Sequence, residues 1–329
     1  MICVEAVSRL HFGLFTLGGA THWPGCDGVA SVPARRFGGV GLMVQQPGLR
    51  IRMQPADEWS AEGPLADRAL SYACRLADGL LGRTLPPQKI ILEHCAAEHA
   101  GLGTGTQLAL AVALAVMSSA GIPWTESFAL TCASLLGRGT RSALGIYGFL
   151  QGGFLVEAGK ADDEAISPLV FCNDFPADWR IVLIQLPATG LHGSAERQAF
   201  AQLQALPIPP AATDTLARLA LLGMIPALLD RDLPAFGEAL YDFNRRVGEL
   251  FAPVQGGPYA HPAAAEVVAF LRSRGVHGVG QSSWGPTLFA VIEEARAEQL
   301  AEEIRRRLDV SVIVTDAAND GALLVQPEE

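Results

Sequence analysis

GLGTGTQLALAV, Gly101 to Val112, is the stretch on which the reading of the fold turns. The apolar run KIILEHC, Lys89 to Cys95, predicts a strand just ahead of it, and the run from Leu108 to Ser119 predicts a helix just behind. Strand, glycine loop and helix in that order make a phosphate-site layout. Backbone N–H groups of such a loop converge on an anion, glycine lets the chain approach it closely, and the helix N-terminus contributes about half a positive charge. Thr104 and Thr106 add hydroxyl donors or magnesium contacts. A tight turn with threonine capping the helix has the same composition, so these residues alone leave both readings open. Two phosphate motifs are excluded: no Gly-Lys-Ser/Thr follows, as a P-loop needs, and the G-x-G-x-x-G spacing of a dinucleotide site is absent there.

Outward from this loop the pattern is mixed. Strands are predicted over Ile2 to Phe15 and Gly41 to Met53, joined by the glycine-rich GGATHWPGCDG, and a helix over Leu65 to Leu81. A helix from Thr125 to Leu136 and strands near Gly153 to Glu157 and Ile181 to Gln185 follow. Apolar positions three and four apart predict helices over Asp214 to Leu229, Pro234 to Phe251 and Pro262 to Arg274, after a loop marked by Pro207, Pro209 and Pro210. Thr287 to Ile292 and Val310 to Val314 flank a charged helix from Glu293 to Leu308, a β-α-β ending. The class is α+β in two intertwined lobes, residues 1–165 with the glycine loop and residues 166–329.

Composition narrows the function classes. Half of the 329 residues are apolar and 18% are charged, as in a well-cored globular chain of one large or two ordinary domains. With 24 basic against 34 acidic residues the formal charge is −10, so no basic field attracts nucleic acid and any phosphate must be held locally. Lys89 and Lys160 are the only lysines; arginine carries the rest, from codon bias or as planar forks for phosphate and carboxylate. The cysteines Cys3, Cys26, Cys74, Cys95, Cys132 and Cys172 lie far apart, as buried thiols of a reducing cytoplasm do, and imply neither disulfides nor structural zinc. Glu5 and Arg9 break what would be a signal peptide's apolar core, and the uncharged stretch between His99 and Glu126 has too short an apolar run to span a bilayer. A cytoplasmic protein with a buried helix there, and no membrane partner, is the expectation.

Three further segments carry chemical potential. GVHGVGQSSWGPTLFAV sets Gln281, Ser282, Ser283 and Trp284 between glycines before a strand, suiting either a small-molecule wall or a hairpin loop with a core tryptophan. LLGRGTRSALGIYGFLQGGF brings Arg138 and Arg141 beside Gly139, Thr140 and Ser142, as an anion clamp or as solvated arginines. Arg35 and Arg36 in PARRFGGVGL pose the same alternative. Glu93, His94, Glu98 and His99 fit no zinc-protease spacing and read as a strand side chain with loop histidines.

Taken together, SRLHFGL with RRFGGVGL, GLGTGTQLALA and VGQSSWGPTLFA resemble, in order and spacing, the GHMP superfamily of small-molecule kinases. More narrowly the chain looks like the β-ribofuranosylaminobenzene 5'-phosphate synthases, a family of that superfamily that does not phosphorylate, and the likeness runs over nearly the whole chain, GRGTRSALGIYGFLQGGF included. The resemblance implies a first lobe like ribosomal protein S5 domain 2, an α+β second lobe and a cleft between them. It implies condensation of phosphoribosyl pyrophosphate with 4-aminobenzoate or 4-hydroxybenzoate, loss of pyrophosphate and carbon dioxide, and a place at the start of tetrahydromethanopterin biosynthesis. Gly101, Gly103, Thr104, Gly105, Thr106 and Gln107 would form the phosphate nest, with magnesium at Thr104 or Thr106. Arg35, Arg36, Arg138 and Arg141 would be the catalytic cations on the ribose phosphate and the aromatic carboxylate. Ser142, Gln281, Ser282, Ser283 and Trp284 would line the cleft, and a homodimer is the assembly the family suggests.

Two departures qualify the match. GHMP kinases commonly place a catalytic aspartate in an S-G-x-D pattern, where this chain reads Ser142-Ala143-Leu144-Gly145, and the lysine that such kinases carry near the N-terminus is missing too. Both absences favour the synthase over the alternative of an ATP-dependent kinase. Conversely, L-x-D-L and G-R-x-D-G-G of the archaeal synthases read here as LFTL, with Thr16, and RRFGG, with Phe37. That loss of two acids leaves a shifted acceptor, or a non-catalytic binder of a phosphorylated metabolite, as a further alternative.

Overall fold

The computed structural model describes residues 1–16, 35–79, 85–161, 166–206 and 210–325. The connection GGATHWPGCDG with Cys26, the end of the first helix at Leu81, the boundary at residue 165, and Pro207 and Pro209 lie outside the described residues.

The first sheet has seven strands. β1 (Ile2–Leu14) lies along β2 (Gly39–Pro55), whose second half also pairs with β4 (Gln88–His94) and whose first half pairs with β5 (Phe154–Glu157). β3 (Ser60–Glu62) closes one edge beside β4, and β6 (Leu169–Asn173) extends the sheet from β5. Strict alternation would put Val4, Ala6, Leu10 and Phe12 on one face. A register shift between Ala6 and Ser8 instead sends Val4 and Ala6 into one core and Leu10 and Phe12 into the other. Against the first face pack α1 (Ala66–Gly79), α2 (Thr104–Ser119), α3 (Glu126–Leu135) and α4 (Leu144–Gln151). The uncharged stretch is thus a core helix: α2 is buried on every side from Gln107 to Met117.

The second sheet is antiparallel, in the order β10-β7-β9-β8, from β7 (Trp179–Gln185), β8 (Gly278–Gln281), β9 (Thr287–Glu293) and β10 (Ser311–Thr315). The closing β-α-β is split, because β7 lies between β9 and β10. In β7 the odd residues Ile181 and Leu183 face the core shared with the first sheet, while Val182 and Ile184 face α9 (Ala264–Ser273) and α10 (Glu294–Arg307). Between the sheets run α5 (Gly193–Ala205), α6 (Pro210–Arg218), a π-helical turn at Leu219–Met224, α7 (Ile225–Leu229) and the long α8 (Leu233–Gln255). Ala211–Leu229 is long and apolar enough to cross a membrane by length and composition; here Leu216, Ala220, Met224 and Leu228 face the shared core.

Sheet membership does not follow a division at residue 165. β6 belongs to the first sheet, and so does β11 (Leu323–Val325), which returns to pair with β1 through Cys3↔Val325. The second lobe is therefore enclosed by the first in sequence. All five cysteines among the described residues are free thiols, Cys3 and Cys132 fully buried.

Candidate functional site

Where β1, the start of α2 and the β8–β9 connection converge, the lobes leave a cavity of about 650 Å³. The glycine loop forms one side. Gly101 and Gly103 have φ of 83° and 75°, in the left-handed region that favours glycine. A Cβ on Gly103 would lie 3.0 Å from Arg9 Nε, and one on Gly101 would collide with the Ser282 carbonyl oxygen. The Gly103 carbonyl accepts from Thr106 N–H at 2.9 Å and Gln107 N–H at 3.2 Å. Thr104 and Gly105, in the first turn of α2, have N–H groups with no intrahelical acceptor, and both residues line the cavity.

Five arginines, Arg9, Arg68, Arg138, Arg141 and Arg197, line the cavity against two glutamates, Glu98 and Glu196. Burial brings the Arg9 guanidinium down to about 10, opposed by Glu157 and Glu196, so it stays cationic at neutral pH. Arg68 Nε donates to the Tyr72 hydroxyl at 2.8 Å and its Nη1 pairs with Glu98. The space left by the missing Gly105 side chain brings Arg68 Nη2 to 2.5 Å and Arg138 Nη1 to 3.4 Å of where a Cβ would stand. Two guanidinia thus close on the α2 N-terminus, an arrangement suited to a multiply charged anion.

Across the cavity the wall is aromatic. Trp284 meets Phe251 at 4.7 Å and Phe200 at 5.3 Å between ring centres. Arg141 lies over the Phe200 ring at 4.1 Å while its Nη1 donates to Glu196 at 2.6 Å. Phe37, where the archaeal pattern has an acid, is 7% exposed and packs edge-on against Phe200 at 6.2 Å. An acidic side chain in that contact would be desolvated against rings.

The lobes are joined through backbone groups at this site. Ser282, fully buried, donates its hydroxyl to the Gly101 carbonyl at 2.6 Å and accepts from the His11 N–H at 3.0 Å. Asn244 of α8 donates to the Phe12 and Gln281 carbonyls at 2.7 and 2.9 Å. His11 is held well below the ordinary histidine range by burial and by Arg9. Glu157, fully buried on β5, accepts the Ala143 N–H at 2.7 Å with Oε2. Burial pushes its carboxyl up to about 7, against the opposing pull of Ser142, the Ala143 N–H, Ser167 and Arg9.

Most of the residues predicted from sequence meet here: Gly101, Gly103, Thr104, Gly105, Thr106, Arg138, Arg141, Ser142, Gln281, Ser283 and Trp284 all line the cavity. Four do not. Arg35 and Arg36 stand away from the lining; Arg35 Nη1 donates to the Gly159 carbonyl at 2.8 Å, and Arg36 pairs through its backbone with Lys160. Gln107 is turned into the helix packing, donating to the Gly145 carbonyl at 2.8 Å, and Ser282 is consumed in the lobe junction. Among the described residues no three His, Cys, Asp or Glu side chains form a metal-holding group, and the Thr104 hydroxyl donates to the Ala97 carbonyl at 3.0 Å. Arg9, Arg68, His192 and Glu196 went unread, although Arg9 sat inside SRLHFGL, a segment already singled out; His99, read from sequence as a loop histidine, lines the cavity together with Glu98.

Comparison with known proteins agrees with this architecture. Residues 224–310 match the family described as GHMP kinases C terminal. The chain is 28% identical over 345 residues to a β-ribofuranosylphenol 5'-phosphate synthase of Methanothermobacter thermautotrophicus, covering 99% of each chain. It is 28% identical to the enzyme of that name from Archaeoglobus fulgidus, covering 98% of each. Among solved structures, homoserine kinase from Cytophaga hutchinsonii superimposes with a TM-score of 0.69 at 16% identity, over 98% of this chain and 97% of that one. Mevalonate-3-kinase from Thermoplasma acidophilum does so with a TM-score of 0.66 at 12% identity, over 99% of both. The fold is the two-lobe α+β architecture of the GHMP superfamily.

Proposed function

We infer that the chain belongs with the ribofuranosylphenol phosphate synthases of the GHMP superfamily, as a pentosyl-transferring enzyme, and every step below proceeds from that premise. Its reaction is the condensation of phosphoribosyl pyrophosphate with 4-hydroxybenzoate or 4-aminobenzoate, releasing pyrophosphate and carbon dioxide. The observation that carries this reading is one cavity in which an arginine-lined helix N-terminus faces a wall of Phe200, Phe251 and Trp284. A kinase finds less to use there. The cavity carboxylates Glu98 and Glu196 are both engaged by arginines, so neither stands ready as the base for a hydroxyl nucleophile.

In this reading the diphosphate lies on the Gly101–Gly105 loop with Arg9, Arg68 and Arg138, whose charges meet the negative charge that builds as the ribose C1–oxygen bond breaks. The acceptor ring stacks on the aromatic wall, which brings the carbon bearing its carboxylate to the ribosyl centre and excludes water from it. Attack forms the carbon–carbon bond, and loss of carbon dioxide restores the aromatic ring. The residues present do not make a cage for a resident magnesium ion, given the engaged carboxylates and the committed Thr104 hydroxyl. Magnesium is assigned here to the diphosphate as part of the substrate, with no step routed through it. Proposed with the reaction are its place at the head of tetrahydromethanopterin synthesis, a cytoplasmic location and a homodimeric assembly.

The test is release of labelled carbon dioxide from carboxyl-labelled 4-hydroxybenzoate and 4-aminobenzoate with phosphoribosyl pyrophosphate and magnesium. Release that requires phosphoribosyl pyrophosphate is the expected result. ATP-dependent phosphorylation without release would overturn the reading in favour of a kinase, and neither activity, with ligand binding intact, in favour of a non-catalytic binder.

A further inference from the structure

Two histidines that the reaction as written leaves idle stand face to face in the cavity wall. His99 follows β4 in the first lobe, and His192 precedes α5 in the second. Their rings stack with centres 3.7 Å apart and planes 16° from parallel. The contact is braced from both sides: Gly190 N–H donates to the His99 carbonyl at 2.7 Å, and His192 Nδ1 lies 3.0 Å from the Gly190 carbonyl. A carbonyl only accepts, so the Nδ1 of neutral His192 carries the hydrogen and its Nε2 is left with a lone pair. The carbonyl on one nitrogen and the flat ring on its face hold the imidazole in one tautomer and one orientation, as a base oriented by a third group is held.

Resting on the reading above, we propose that His192 is a catalytic residue for the phenolic acceptor: its Nε2 takes the proton of the para hydroxyl as the new carbon–carbon bond forms and returns it after carbon dioxide leaves. The step balances. The O–H bond breaks and its electron pair enters the ring; the carboxylate-bearing carbon bonds to ribose C1 as the bond from C1 to the diphosphate oxygen breaks. The bond to the carboxylate then breaks, its pair returns to the ring as phenolate, and the imidazolium reprotonates that oxygen. A phenolic oxygen donates weakly until it loses its proton, whereas an amino nitrogen pushes its lone pair without doing so. The base therefore matters for one acceptor and little for the other.

Among the described residues, both carboxylates that line the cavity are occupied. Glu98 pairs with Arg68 on the first-lobe side, Glu196 pairs with Arg141 on the α5 side, and Arg197 is a permanent cation. His11 is 6% exposed, with its ring against Gly39. His99 is held below the ordinary histidine range by burial and by His192, with Glu98 and Glu196 opposing and Arg68 assisting. It thus supplies a neutral plate that does not repel the imidazolium formed at its neighbour.

The experiment compares the wild type with His192→Phe, which keeps a flat ring on His99 and removes the base, and His192→Ala. For His192→Phe, kcat with 4-hydroxybenzoate should fall about a hundredfold or more, with KM for phosphoribosyl pyrophosphate unchanged. With 4-aminobenzoate, or with 3-fluoro-4-hydroxybenzoate whose hydroxyl is more acidic, the loss should be under about tenfold, following the Brønsted dependence. Added imidazole should restore part of the His192→Ala rate. An unchanged kcat, or an equal loss with all three acceptors that imidazole does not relieve, overturns the proposal. A wild type that uses 4-aminobenzoate but not 4-hydroxybenzoate overturns it as well. A wild type that releases no carbon dioxide from either acid overturns the underlying reaction instead, and the role of His192 with it.

Discussion

Replacing Glu157 by glutamine should change the pH dependence of stability more than stability itself. The carboxyl is fully buried, accepts from Ala143 N–H, and is raised by burial from 4.5 to about 7. The raised value means the folded state holds a proton that the unfolded chain releases at lower pH, so stability is greatest below 4.5 and drains away as pH rises toward 7. At about 1.4 kcal/mol per unit, the loss between pH 5 and pH 8 comes to about 2–3 kcal/mol. Glutamine has no such proton to lose and can still accept from Ala143. Denaturant unfolding of both proteins at pH 5, 6, 7 and 8 should show the variant gaining on the wild type by that amount, with most of the gain complete by pH 7. A difference that stays flat across the series would refute the buried, protonated carboxyl.

Three other substitutions bear on the cavity. Gly103→Val places a branched side chain at φ 75° and against Arg9 Nε, and should abolish heat of binding for inorganic diphosphate in calorimetry while the far-ultraviolet spectrum is kept. Ser282→Ala strips the hydroxyl that links the Gly101 carbonyl to the His11 N–H, and leaving those groups unpaired should cost about 1–3 kcal/mol in denaturant unfolding; a change under about 0.5 kcal/mol would contradict the junction. Arg138→Ala should weaken diphosphate binding by about 1.5–3 kcal/mol, tenfold to a hundredfold in Kd, if its guanidinium makes a charged hydrogen bond. An unaltered Kd would assign Arg138 to the Leu136 carbonyl, to which its Nε donates at 3.3 Å, and the Tyr72 ring, over which it lies at 5.9 Å.

What could be read without the structure follows from how local each signal is. β1, β2 and the helix after the glycine loop are long apolar segments whose burial is written in their own residues, and they fall where periodicity puts them. α4 was not legible because LGIYGFLQ is apolar throughout and interrupted by glycine, which leaves no 3.6 period to detect. α5 hides for the opposite reason, opening on the polar GSAERQ. The same distinction governs the site. Glycines at 101, 103 and 105 announce a loop by spacing alone, but Arg68 reaches that loop from α1 and His192 joins the same cavity from the far lobe, and nothing near either residue encodes the meeting. Arg35 and Arg36 show the converse: charge beside a glycine pair fitted an anion clamp and a turn equally well, and in the structure neither lines the cavity, Arg35 donating to the Gly159 carbonyl and Arg36 pairing with Lys160 through its backbone.

The return of β11 to the edge of β1 has a consequence for how the molecule is made. On the ribosome β1 is made well before β11, yet among the described residues its outer edge at Cys3, Val4 and Glu5 pairs with residues 323–325. Ala318 N–H to the Met43 carbonyl and Gln45 N–H to the Asp316 carbonyl likewise wait for residues 316–318. Until those residues are made the nascent first lobe therefore carries an open strand edge, the feature through which partly folded chains pair with one another. Deleting residues 316–325 should leave the second sheet whole and still make the protein aggregate during expression, a defect of assembly order that no inspection of the cavity would reveal.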